Sequence, residues 1–241
     1  MLTQEELRQR IVAVRRRIAA AATRVGRHPS EITLVAVTKT QSPESVAQAY
    51  TAGLRIFGEN RVEEAGPKAA DVPRLIAPAA PPIWHMIGHV QSRKARDVLP
   101  WVAMVHSVDS LKLAERLGRF VMDLGSVEEK EPEPLSVLLE VNVFGEASKY
   151  GLTPEELPSI VKAVSVLRGI RLQGLMTMAP VVDSPELARP VFSGLRLLRD
   201  HLARAHAGLD LRELSMGMSD DFEVAVEEGA TIVRIGRAIF G

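Results

Sequence analysis

The sequence contains no cysteine, which removes a disulfide framework, a thiolate metal site and a cysteine nucleophile, and fits a reducing compartment. Net charge is also missing: 30 Lys plus Arg balance 30 Asp plus Glu. Nothing draws the chain as a whole to nucleic acid or to an anionic membrane, so any phosphate binding has to be local. No apolar run approaches the roughly 18 residues of a membrane span, and the opening Met-Leu-Thr-Gln-Glu-Glu-Leu is polar and acidic. A soluble, cytoplasmic protein is expected. There is no glycine- or serine-rich linker long enough to divide the 241 residues, so 1–241 reads as a single domain. Tyrosine is scarce, with only Tyr50 and Tyr150 in the chain.

What is present is alternation. The chain opens with an expected helix from about Thr3 to Val25, started by a Thr3/Glu6 capping box and striped with Leu7, Ile11, Val14, Ile18 and Val25. Arg10 and Arg15 to Arg17 lie largely off that stripe and read as a solvated face. Eight short apolar strands follow, near Ile32–Lys39, Ile56–Asn60, Ile83–Gly88, Met104–Val108, Ser136–Val143, Arg171–Met178, Leu211–Met216 and Ile232–Ile235. Helical patterns fall between them, clearest at Pro43–Ala52, Ser110–Asp123, Pro154–Val166 and Pro185–Ala205, while Asp71–Pro82 and Gly125–Pro134 read as mobile loops. That count is an α/β fold, a (β/α)8 TIM barrel with an extra N-terminal helix.

Barrel sites sit at the C-terminal ends of strands. Those ends carry Lys39; Gly58-Glu59-Asn60; Trp84 to His89; Ser107 and Asp109; Asn142 and on to Ser148-Lys149-Tyr150-Gly151; Met176-Thr177-Met178; Ser215 to Ser219; and Arg234 to Arg237. The last two place glycine-bearing turns side by side, where backbone amides can approach a phosphate, and a helix expected to begin at Ser219 would add its positive end. Strand periodicity puts Val35, Val37 and Lys39 on the interior face of their strand, and Arg234 with Gly236 on the interior face of theirs. A buried lysine loses its proton readily, and a neutral amine condenses with an aldehyde. An aldehyde-bearing phosphate cofactor, pyridoxal phosphate (PLP) being the common one, suits that pairing. A lysine that only snorkels or pairs with Glu59 is the alternative, and residue types alone leave both open.

Six blocks carry a resemblance over almost the whole chain: Leu34–Lys39, Phe57–Val62, Trp84–Gln91, Gly174–Met178, Leu214–Asp221 and Val233–Gly241. The sequence resembles the pyridoxal phosphate homeostasis proteins, related to the N-terminal barrel of alanine racemase. The resemblance implies that Lys39 holds the aldehyde of PLP as an internal aldimine, that Ser215, Gly217 and Gly236 lie around its phosphate, and that Asn60 and Arg234 lie near its ring. His85, Met176 and Met216 complete the expected cofactor-binding set, Met216 through its backbone amide. One departure is Ser92 before Arg93-Lys94, where that family usually has asparagine before the lysine; it bears on partner contacts rather than on the cofactor.

An arginine beside the pyridine nitrogen would keep it unprotonated and make the ring a poor electron sink. The related racemases use a tyrosine as a second base, supplied by a C-terminal β-domain, whereas this chain stops at Gly241 after the eighth strand and offers only Tyr50 and Tyr150. The resemblance therefore implies a PLP-binding homeostasis protein with no catalytic residues, one that carries or buffers the cofactor and supports vitamin B6 and amino-acid homeostasis. The alternative is a PLP-dependent amino-acid racemase or decarboxylase. Expected partners are PLP and apo PLP enzymes, with no nucleic acid and no membrane, in a monomer or weak homodimer. His85 and His89 stand over ~13 Å apart on an extended strand with no third ligand signalled, so no metal site is expected. Asp220 and Asp221 read as acids capping a helix start, and Met176, Met178, Met216 and Met218 are also natural barrel-core filling.

Overall fold

Helix α1 (Gln4–Arg24) begins where the sequence places it. The Thr3 hydroxyl accepts the Glu6 N–H, and the Glu6 carboxylate accepts the Thr3 N–H, satisfying two amides of the helix start. Leu7, Ile11, Val14, Ile18, Ala21 and Ala22 form its buried face. The arginines on the other face are exposed yet engaged: Arg17 reaches Glu223 at 2.7 Å, Arg24 reaches Glu227 at 2.7 Å, and Arg15 donates to the Gly53 carbonyl at 2.8 Å. Exposed pairs of this kind are worth roughly 0–1 kcal/mol each, so they orient the helix more than they hold it.

The computed structural model describes residues 2–76, 80–127, 132–145, 150–206 and 208–241. After α1 the chain runs β1 (Thr33–Val37), α2 (Pro43–Thr51), β2 (Ile56–Glu59), α3 (Val62–Ile76), β3 (Ile83–Met86), α4 (Ala95–Val98), β4 (Met104–Val108), α5 (Leu111–Val127), β5 (Leu135–Glu140), α6 (Leu157–Val164), β6 (Ile170–Met176), α7 (Arg189–Ala205), β7 (Glu213–Ser215), α8 (Phe222–Glu227), β8 (Ile232–Ile235) and α9 (Arg237–Phe240). The strands pair in parallel and in sequence order, and β8 closes onto β1 with Arg234 opposite Val35. The fold is the expected α/β (β/α)8 TIM barrel with one added N-terminal helix. Among the described residues no helix is long and apolar enough to cross a membrane.

Two apolar layers follow from strand alternation. Val35, Leu138, Met176 and Ile232 fill the barrel interior, while the larger cluster, including Phe57, Trp84, Leu139 and Leu214, lies between strands and helices. One irregularity matters for the site. The register of β5 on β6 shifts between Val137 and Leu138, where Gly174 sits at φ +157° and a Cβ would lie 1.9 Å from the Glu213 carbonyl oxygen. The shift leaves Leu138 in the interior, and Glu140, two residues on, shares its side of the strand.

The structure departs from three sequence expectations. The first half of Asp71–Pro82, expected to be loop, is helix: α3 runs through Pro67 and Pro73 to Ile76, and 77–79 lie outside the described residues. The expected loop from Gly125 is helical as far as Val127, and 128–131 lie outside the described residues, as do Ser148 and Lys149 of the fifth strand end. The helix expected from Ser219 starts at Phe222. Asp221 precedes it without a side-chain cap bond and instead accepts the Met218 N–H at 2.6 Å, bracing the turn.

Candidate functional site

Because Val35 and Ile232 point into the barrel, Val37 and Lys39 on one strand and Arg234 and Gly236 on its neighbour point the same way, one layer higher. These four residues line one side of a cavity of about 520 Å³ at the C-terminal end of the barrel, and Ser219 with Asp221 lines the other. That volume is ample for a small ligand. One expectation about Lys39 is corrected and one alternative is set aside. Its side chain is exposed rather than buried, and it does not pair with Glu59. The buried Glu59 Oε1 accepts from Lys68 Nζ at 2.7 Å and from the Thr38 hydroxyl at 2.6 Å, and Lys68 Nζ also donates to the Thr38 carbonyl at 2.8 Å. Lys68, on α3, thus takes the partner that the sequence offered to Lys39.

The floor is a buried polar chain. Arg234, only 4% exposed, donates from Nη1 to Ser215 Oγ at 2.6 Å and from Nη2 to the Thr177 carbonyl at 2.9 Å. Ser215 Oγ lies 2.8 Å from His106 Nδ1, and His106 Nε2 lies 2.9 Å from His85 Nδ1. Burial pushes the His85 pKa down to about 4 and the His106 pKa well below its ordinary value, where the neighbouring His85 and Arg234 lower it further. Both rings are neutral near pH 7. Burial also brings Arg234 down to about 10, against the pull of Glu140 and Asp221, so it remains a cation. The Asp221 carboxyl is raised above its ordinary value, chiefly by burial.

Adjoining the first cavity, a second of about 330 Å³ is lined by Glu140, Asn142, Thr177, Tyr150 and apolar side chains, sharing Met218, Pro180 and Val181 with it. Glu140 is 4% exposed, and burial, reinforced by Asp109, raises its pKa to about 7. Asp109 itself pairs with His89 at 2.9 Å, and the His89 ring stacks on Tyr150 with centroids 4.4 Å apart. Tyr50 is remote from the mouth, its hydroxyl donating to the Ala80 carbonyl at 2.5 Å. Among the described residues there is no cluster of three or more side chains that could hold a metal ion.

The expected binding residues are therefore placed differently from one another. Lys39, Arg234 and Gly236 line the first cavity, and Gly217 lies in the turn beneath it at φ +91°, a conformation open to glycine, with α8 so close that a Cβ would meet Ala225 at 2.6 Å. Ser215 is fully buried in the floor chain; Ser219 is the serine of that turn that faces the cavity. Met176 packs in the barrel interior with Val35 and Leu138. Met216 is fully buried and its amide donates to the Ile232 carbonyl at 3.1 Å, so the expectation of a free Met216 amide is corrected. Asn60 closes β2 with its Oδ1 buried and, among the described residues, without a hydrogen-bond partner. The sequence reading missed His106, Glu140 and Lys68. His106 sits in mid-strand, Glu140 at the end of an apolar strand is a signal that could have been taken, and nothing in the pattern marked Lys68.

The residues present fit a phosphate-bearing aldehyde. The Lys39 amine, the buried Arg234 guanidinium, the Ser219 hydroxyl and Gly236 converge on one cavity, and next to it in the fold Asn60 carries a buried Oδ1 that lacks a partner among the described residues.

Comparison with known proteins agrees with that fit. A family profile described as alanine racemase, N-terminal domain, matches residues 10–241. A protein of Pseudomonas aeruginosa named pyridoxal phosphate homeostasis protein is 44% identical over 236 residues, covering 97% of this chain and 94% of the relative. A crystal structure of an unknown protein from Bifidobacterium adolescentis superposes with a TM-score of 0.88 at 41% identity, covering 98% of this chain and 95% of that one. The PipY protein of Synechococcus elongatus PCC7942, solved with PLP bound, gives a TM-score of 0.82 at 34% identity over 98% of this chain and 100% of its own. With the barrel closed, the lysine and arginine on neighbouring strands and near full-length similarity at these levels, the chain belongs to the pyridoxal phosphate homeostasis protein family, within the alanine racemase N-terminal domain family.

Proposed function

We propose that this protein binds PLP and acts as its carrier or buffer, in one domain spanning 1–241 and in the cytoplasm, in support of intracellular vitamin B6 and amino-acid homeostasis. The observation that carries the reading is the convergence of Lys39 and Arg234 on one cavity, on adjacent strands and facing the same way. When bound, PLP supplies an aldehyde that a lysine amine can hold as a Schiff base, and Lys39 is the residue assigned to hold it. Gly217, Gly236 and Ser219 receive the phosphate, while Arg234 and Asn60 face the ring, with His85 behind them. The exposure of Lys39 suits a site that must load and unload, because the amine is open to an incoming aldehyde.

Two features support holding over turnover. Arg234 cannot give up its proton at neutral pH, so an arginine beside the ring nitrogen opposes protonation there and with it the electron withdrawal that carbanion chemistry needs. Of the two tyrosines, Tyr50 is committed to Ala80, and Tyr150 stands at the mouth stacked on His89. The carrier reading is tested by loading the purified protein with PLP and mixing it with an apo PLP enzyme. Activation faster than an equal free concentration of PLP gives is the expected result; racemisation or decarboxylation of a common amino acid near the roughly 1 per second low end of enzyme turnover would replace this reading with the catalytic one.

A further inference from the structure

The floor chain has a direction, and the direction follows from hydrogen-bond chemistry alone. A guanidinium carries only donors, so Ser215 Oγ must accept from Arg234 Nη1 at 2.6 Å. The Ser215 proton then needs an acceptor, and His106 Nδ1 at 2.8 Å is in place to be one. With Nδ1 accepting, a neutral His106 bears its proton on Nε2 and donates to His85 Nδ1 at 2.9 Å. A neutral His85 in turn bears its proton on Nε2, for which no partner exists among the described residues. The reverse direction would turn the Ser215 hydroxyl proton away from His106 and strand a donor in a fully buried place, at the cost of an unmade hydrogen bond. Burial keeps both rings neutral, as the one-way chain requires.

Three strand ends and one mid-strand residue are tied together in this way. His106 is fully buried, lies on β4 opposite the glycine turn, and uses both ring nitrogens, one toward each side of the floor. Its ring packs 4.9 Å from that of His85, centroid to centroid. The second Arg234 anchor, the Thr177 carbonyl at 2.9 Å, cannot by itself fix the guanidinium plane, since a single bond leaves rotation about it free.

We propose that His106 is a positioning residue that, through Ser215, fixes the Arg234 guanidinium in the floor of the cavity and, through His85 Nδ1, makes His85 a hydrogen-bond donor at Nε2. The proposal deepens the PLP-binding reading and rests on it for its effect on the bound cofactor, but the chain direction itself does not depend on PLP.

Two measurements separate the two. In the protein without PLP, nitrogen-15 NMR of the imidazole rings is expected to find His106 and His85 both protonated at Nε2 and bare at Nδ1; protonation of His106 at Nδ1 overturns the proposal. In the PLP-loaded protein, His106→Leu is expected to shift the visible absorption band and weaken PLP binding about tenfold, as loss of a hydrogen bond that supports a charged group does. His106→Gln, which can accept from Ser215 and donate to His85, is expected to restore both. An unchanged band and affinity in His106→Leu, or no recovery in His106→Gln when both fold as judged by circular dichroism, overturns it. If His106→Leu does not fold, Ser215→Ala breaks the same link and carries the same expectation. A wild-type protein that shows no band with PLP defeats the proposed function instead, and the NMR result still decides the direction of the chain.

Discussion

Arg234 Nη1 stands 2.6 Å from Ser215 Oγ, with Ser215 fully buried beneath the cavity that Arg234 lines. The serine that the sequence offered as a phosphate ligand is thereby committed to holding the arginine. The serine that lines the cavity is Ser219, four residues on, whose Oγ accepts the Ala238 N–H at 3.2 Å. The two serines should separate by ligand. Ser219→Ala is expected to weaken PLP roughly tenfold and leave pyridoxal, which lacks the phosphate, unaffected. Ser215→Ala is expected to weaken both, because it frees the arginine. Equilibrium titrations with the two ligands read the difference, and equal effects of Ser219→Ala on both would place the phosphate elsewhere.

The two glycines of the expected phosphate cup make unlike demands. Gly217 has φ +91°, and a Cβ there would come within 2.9 Å of the Phe222 Cα as well as Ala225, so Gly217→Ala should cost about 1–3 kcal/mol of stability. Gly236 has φ −111°, and a Cβ would meet Val37 Cβ at an acceptable 3.4 Å. Gly236→Ala should therefore unfold at nearly the wild-type temperature, any loss falling on PLP binding alone. Calorimetry with and without PLP distinguishes the two variants.

Stability without PLP should depend on pH in two opposed ways. His85 and His106 have folded pKa values below the ordinary 6.5, so the unfolded chain binds more protons below that pH, and stability present above about 6.5 is lost as pH falls toward 4. For His85 alone the span corresponds to roughly 3 kcal/mol. Glu140 has a folded pKa raised from the ordinary 4.5 to about 7, so the folded protein holds the extra proton and stability falls as pH rises between those values. Urea midpoints measured from pH 4 to 8 should show Glu140→Gln gaining on the wild type above pH 7, and His106→Gln losing less than the wild type below pH 6. A Glu140→Gln protein with no gain at pH 8 would mean that the carboxylate is better solvated than its burial implies.

The barrel was legible because its signal is periodic. Val35, Val37 and Lys39 alternate along one strand and Ile232, Arg234 and Gly236 along the next, and parity alone brought a lysine and an arginine to the same cavity. Helix α3 was hidden by Pro67 and Pro73, which signal breaks but are carried inside the helix. His106 was hidden because it lies in mid-strand, away from the strand ends where a barrel site sits; the register of β4 shifts between Val105 and Val108, around it. Ser215 and Ser219 share one motif, and only the three-dimensional turn separates the structural serine from the one facing the cavity. Exposure of Lys39 could not be read either, since an apolar strand predicts the burial of its own residues and not of the side chain that leaves its end.

The Glu59 and Lys68 pair, which braces Thr38 beside Lys39, predicts a stability effect. Both side chains are buried at 2.7 Å, and Glu59 Oε2 has no partner among the described residues. Lys68→Met should cost about 3–5 kcal/mol by stranding the carboxylate, which is on the order of 10 °C in melting temperature for a chain of this size. Adding Glu59→Gln should recover part of that loss. A melting temperature unchanged by Lys68→Met alone would show that the carboxylate is protonated or hydrated.

Assignment of the PLP aldehyde to the Lys39 amine can be read chemically. Reducing the loaded protein with borohydride and sequencing its peptides by mass spectrometry tests it most directly. A single stoichiometric phosphopyridoxyl adduct on Lys39 is expected, with the visible band absent from Lys39→Ala. A stoichiometric adduct on another lysine, or a Lys39→Ala protein that keeps the wild-type band, would contradict it.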